Sequence, residues 1–71
     1  MNGNELLKRL RKVARQRGLQ LKLVQERGKG SHATLYLGGR FTVMKDRKKE
    51  IGPGLLAKML NDLGLGKPDI E

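Results

Sequence analysis

The chain has a single histidine, and it stands directly behind a turn-forming segment, Glu26-Arg27-Gly28-Lys29-Gly30-Ser31-His32. Imidazole is the one side chain whose ordinary titration lies near neutral pH, so a histidine can take or give a proton without a special environment. The two glycines let the backbone turn tightly and approach a ligand closely. Exposed N–H groups around Gly30, with Lys29 and Ser31 beside them, suit a phosphate oxygen. So sparse a set fits a substrate that brings its own nucleophile. In RNA the 2′-hydroxyl attacks the adjacent phosphorus, a base removes its proton, an acid protonates the departing 5′ oxygen, and cations stabilise the charged phosphorane. That chemistry requires neither a metal nor a covalent enzyme intermediate. On residue types alone, two plainer readings stand beside it: glycine and lysine are common in hairpin loops, and a lone histidine is common on a polar surface.

The elements that must carry these residues follow from periodicity. Asn4 is the expected cap of a first helix with Glu5 in its first turn, and Leu6, Leu7, Leu10, Val13 and Ala14 recur at spacings of three and four. Lys8, Arg9, Arg11, Lys12, Arg15 and Arg17 fill the other faces, and Gly18 is set to end the helix. From Leu19 the period becomes two, with Leu19, Leu21 and Leu23 on one face of a strand. After the glycine segment, Ala33, Leu35 and Leu37 alternate with His32, Thr34 and Tyr36, and Gly38-Gly39 turns the chain into a third strand, Phe41 to Met44. Residues opposite each other in a hairpin share a face. A loop that includes Arg40 pairs Leu37 with Phe41 and Leu35 with Val43, an all-apolar face, and is the register expected here. It leaves His32, Thr34, Tyr36, Thr42 and Met44 on the open face of the sheet. With Phe41 in the core, no platform for stacking single strands is expected; Tyr36 alone could stack one base, although an open-face tyrosine more often only packs on its sheet. Pro53 behind Gly52 opens a second helix with a stripe of Leu55, Leu56, Met59, Leu60 and Leu63, ended by Gly64. The sum is one α+β domain over residues 1–71, in the order α-β-β-β-α, with both helices on one face of a three-stranded antiparallel sheet. Its ordered core is expected to span about residues 4–65, with 66–71 a flexible tail.

Composition narrows what such a domain does. Sixteen lysines and arginines against seven aspartates and glutamates give a formal charge of +9. The excess lies in the first two thirds of the chain, so an acidic partner is expected there, with nucleic acid foremost. A basic helix without interleaved acids gains little from internal ion pairs, which favours a polyanion against it, although a solvated face remains the alternative. The absence of cysteine excludes disulfides and thiolate metal sites, and one histidine leaves little for a metal cage. No cofactor is expected. Apolar runs of two or three residues cannot span a bilayer, and no signal pattern follows Met1, so a soluble cytoplasmic protein without a membrane partner is expected.

Residues 5 to 65 resemble the HicA family of toxin-antitoxin ribonucleases. The resemblance rests on the short basic helix, on Lys29-Gly30-Ser31-His32 opening the second strand and on Phe41-Thr42-Val43. It extends through Glu50-Ile51-Gly52-Pro53-Gly54-Leu55-Leu56 leading into a helix that ends Asp62-Leu63-Gly64-Leu65. It implies a fold like that of a double-stranded RNA-binding domain, cleavage of mRNA to block translation, a catalytic histidine that maps onto His32, and a HicB-type antitoxin that masks the site. Two positions depart from the family pattern: Ala33 stands where a second histidine is frequent, and Met44 where a proline often follows the Thr-Val pair. Activity in the family is attributed to the first histidine.

The resulting expectation is a toxin acting as a metal-independent endoribonuclease, monomeric when free, with His32 as general acid or base. Lys29, Gly30 and Ser31 would lie at the scissile phosphate, Lys22 and Lys45 on either side, and Arg11 and Arg15 of the first helix on a more distant stretch of backbone. The rivals are a non-catalytic RNA-binding module of the same fold and a cationic module that binds an acidic protein.

Overall fold

In the first helix the apolar stripe of Leu6, Leu7, Leu10, Val13 and Ala14 is fully buried, as its spacing requires. A computed structural model describes residues 1–25 and 32–71, with elements α1 (Gly3–Arg17), β1 (Leu21–Gln25), β2 (Ala33–Leu37), β3 (Arg40–Met44), α2 (Pro53–Asp62) and a final 3-10 turn, Lys67–Ile70. The α-β-β-β-α order and the α+β class match the sequence reading. The cap of α1 differs. Asn2 rather than Asn4 holds the position, its side-chain oxygen accepting from the Glu5 N–H at 2.9 Å. The helix starts earlier because Gly3 lets it approach the loop after β3, where a Cβ would come within 2.8 Å of Arg47 Cα. The Asn4 N–H is then taken by the Arg47 carbonyl at 3.2 Å. Gly18 closes the helix in the left-handed conformation at φ 65°, where glycine meets no Cβ penalty.

The strands form an antiparallel sheet in the order β1-β2-β3. Leu35, Leu37 and Met44 of the sheet join the buried leucines of α1 and Leu56, Met59 and Leu60 of α2 in a single core. Both helices therefore cover one face of the sheet, and the other face is open.

The hairpin register differs from the expected one. Leu37 pairs with Arg40, Tyr36 with Phe41 and Thr34 with Val43, so the loop is the two-residue Gly38-Gly39. Gly38 has φ 60° and Gly39 has no positive φ, the pattern of a type II′ turn. Every side chain of β3 thereby changes face. Thr42 and Met44 are buried, while Phe41 is 59% exposed and Val43 49%. Burial of the Thr42 hydroxyl, which this register requires, is offset by a bond from beyond the hairpin. It donates to the Asp62 carboxylate of α2 at 2.9 Å. The Lys58 ammonium donates to the same oxygen at 3.1 Å, and Arg40 donates to the Asp62 backbone carbonyl at 3.1 Å.

Asp62 is held below the usual carboxylate range first by the Thr42 bond and next by Lys58. A depressed carboxyl contributes stability that is present above its unfolded value, about 3.9, and is lost as pH falls through the folded one. Asp69, lowered chiefly by the Gly66 N–H at 2.7 Å, adds in the same sense. Thermal melts are therefore expected to be nearly flat above about pH 5 and to weaken below about pH 4. Thr42→Val should move the Asp62 carboxyl signal, followed by NMR, back toward the ordinary titration range; an unmoved signal would show that Thr42 is not its principal support.

Residues 66–71, expected to be a loose tail, close against α1. Ile70 is buried, Arg9 donates to its carbonyl at 3.3 Å, and Arg17 pairs with Asp69 at 2.6 Å. The apolar Ile70 drives this docking, and a small domain gains proportionately from each further buried side chain. Ile70→Ala is expected to destabilise the protein by about 2 kcal/mol in denaturant titration, and a cost near zero would mean the segment is not held. Two other apolar residues are less buried than their spacing suggests: Leu19 lies outside β1 and Leu55 faces solvent from α2. No helix among the described residues is long and apolar enough to cross a membrane.

Candidate active site

His32 immediately precedes β2 and is half-buried. Ala33, next along, is buried against the helices, so alternation turns His32 toward the open face with Thr34 and Tyr36. Continuing the β2–β3 register by one step beyond the Ala33–Met44 pair sets His32 across from Lys45. The two line the same open groove of about 930 Å³, which follows β3 from Lys45 to Arg40 with Leu55, Lys58, Met59 and Asp62 of α2 on its other wall. A side chain of β1 also holds the histidine's backbone: the Gln25 amide Nε2 donates to the His32 carbonyl at 3.3 Å. An imidazole thus stands just before β2, beside a lysine and an open groove.

Of the other residues expected to meet phosphate, Lys22 shares the open face. It lies directly across from Tyr36 in the β1–β2 register and is exposed. Lys29, Gly30 and Ser31 lie outside the described residues. Arg11 and Arg15 are exposed, but the fold does not bring them to His32. With Lys8 and Lys12 they form a stripe opposite the buried stripe of α1, and α1 covers the inner face of the sheet. Their charge therefore points away from the open face, on the far side of the molecule. Arg9 and Arg17 are engaged by Glu5 and Asp69, whereas Arg11 and Arg15 meet no carboxylate among the described residues.

The two positions that depart from the family pattern are both buried on the helix side of the sheet. A histidine in place of Ala33 would point into the core, away from a substrate held at His32, and Met44 packs there rather than on the open face expected for it. Among the described residues no group of three histidine, cysteine or carboxylate side chains comes together to hold a metal. Sequence reasoning missed the outward aromatic pair of the hairpin, Tyr36 and Phe41, whose ring centroids are 6.0 Å apart. The signal was the Gly38-Gly39 dipeptide itself, since two-residue hairpin loops are the commonest.

Comparison with known proteins returns one family. The sequence model of the HicA toxin of bacterial toxin-antitoxin systems matches residues 4–65 of the 71. Neither the curated proteins nor the solved structures give a significant match. A match over so much of the chain spans α1, all three strands, His32 and α2, and by it the chain belongs to the HicA toxin family, as a toxin whose system implies an antitoxin partner.

Proposed function

We propose that this toxin is a metal-independent endoribonuclease that cleaves mRNA in the cytoplasm and thereby inhibits translation, with His32 as its general acid or base. The observation that carries the proposal is the position of His32 at the open end of β2, across from Lys45 and on the groove along β3. In this reading His32 exchanges the proton of the 2′-hydroxyl or of the departing 5′ oxygen. The new bond is 2′-oxygen to phosphorus, and the bond that breaks is phosphorus to 5′-oxygen. Lys45 would offset the charge that builds on the phosphorane, and electrostatic support of this kind is commonly the largest contribution to such a reaction. Lys29, Gly30 and Ser31 would bring further donors to the same phosphate, and Lys22 would hold the strand farther along the sheet.

Arg11 and Arg15, on the far side, would engage a separate backbone segment, so a longer RNA must pass around the domain to use both surfaces. A HicB-type antitoxin would then act by covering the open face, and the free toxin would be monomeric. Expression of wild type and His32→Ala in a bacterial host tests the proposal. Growth arrest with loss of total mRNA is expected in the first only; arrest without mRNA loss would exclude the ribonuclease reading, and arrest by both would exclude His32.

A further inference from the structure

Tyr36 and Phe41 are the chain's only aromatic residues, and both face away from the core. Full burial of a phenylalanine stabilises a fold by about 1.5–3 kcal/mol, and a 71-residue domain has few large side chains with which to build a core. Here the core is made of leucines and methionines, while Phe41, a ring with no polar atom to hydrate, stays 59% exposed. It lies across from Tyr36 in the register, with a ring-to-ring tilt of 44°. Val43 and Val24, also exposed, extend the apolar strip over β3 and β1. The strip is bordered by cations: Lys22 across from Tyr36, and Lys45 one step beyond the end of the β2–β3 ladder, across from His32.

Flat rings edged by lysines match one ligand chemistry well. Unpaired bases stack on aromatic side chains whatever their sequence, and their phosphates seek the flanking cations. A duplex keeps its base faces inside the stack and has nothing to offer the rings. We infer that Tyr36 and Phe41 form a stacking platform for unpaired bases of a single-stranded RNA, and so select single-stranded over duplex substrate. The inference rests on the ribonuclease reading and adds the class of substrate to it. Tyr36 is four residues along β2 from His32, roughly 13 Å at strand rise. That distance corresponds to about four stacked nucleotides or fewer, so a base on the platform belongs to the stretch next to the scissile phosphate.

The test is binding of a short fluorescent single-stranded RNA, and of a duplex of the same sequence, to the full chain carrying His32→Ala so that the RNA stays intact. Added to that background, Phe41→Ala or Tyr36→Ala is expected to weaken single-strand binding roughly 5- to 150-fold and to leave duplex binding and the salt slope unchanged. Phe41→Trp should retain binding, and thermal melts verify that each variant is folded. Equal single-strand binding by Phe41→Ala and its parent would overturn the platform while leaving the ribonuclease reading intact. Failure of both this parent and the wild-type chain to bind any RNA would overturn both. Loss of antitoxin affinity in Phe41→Ala with RNA affinity retained would assign the rings to protein docking and also overturn the inference.

Discussion

Purified His32→Ala protein is expected to cleave RNA 10²- to 10⁴-fold more slowly than wild type, the range by which one positioned acid or base accelerates proton transfer, while binding the same RNA with nearly equal affinity. The separation follows from the geometry. Affinity for a polyanion comes from phosphate contacts, and Lys22 and Lys45 lie on the open face independently of the histidine. No second histidine exists to replace the lost group, and position 33 points into the core. A gel time course with an anisotropy titration checks both halves. A variant cleaving at the wild-type rate would remove His32 from the reaction, and one that neither cleaved nor bound would assign it to binding instead.

The largest structural effect is expected from Leu35→Ala. Leu35 is the central inward residue of the central strand, 0% exposed, and packs in the one cluster that joins the sheet to both helices. Truncations of this kind cost about 2.7–5 kcal/mol. A chain of this length has roughly 4–11 kcal/mol of total stability, so the variant should lie close to unfolding at ambient temperature. Its melting temperature should fall by roughly 10–40 °C. By contrast, the bulkier Phe41 can be cut to alanine for about 1 kcal/mol or less, the value of a cross-strand pair on an open face. Calorimetry on the two variants tests the assignment of inner and outer faces, and similar costs for both would contradict it.

Much of this fold is legible from short-range pattern. The stripe of α1, the glycine at 18, the proline at 53 and the alternation of Ala33, Leu35 and Leu37 each act within their own element, and each is found as read. The hairpin register is not of this kind. The expected register sets apolar against apolar, whereas the observed one sets Leu35 against Thr42 and Thr34 against Val43, so local hydrophobicity favours burying Phe41 and Val43. What decides between them is the Asp62 carboxylate, twenty residues beyond Thr42, which accepts a hydrogen bond from the threonine hydroxyl and makes a polar side chain acceptable inside. The same limit applies at Ile70, whose burial depends on how α1 lies.

The histidine's situation was readable, because alternation from Ala33 outward is a local rule. The separation of Arg11 and Arg15 from it was implicit, since charge opposite a helix's apolar stripe must point away from the sheet that stripe covers. The outward aromatic pair was hidden behind the register, and with it the feature of the open face most specific to a ligand.

The two-residue turn at Gly38-Gly39 leaves no spare length between β2 and β3. A codon inserted after Gly39 has two outcomes: the extra residue is taken up in a three-residue loop and Thr42 keeps its bond to Asp62, or the strand slips by half a period and Phe41 and Val43 face the leucines. Asp62 thus acts as a register lock, and its removal, more than the insertion alone, would free the hairpin to slip.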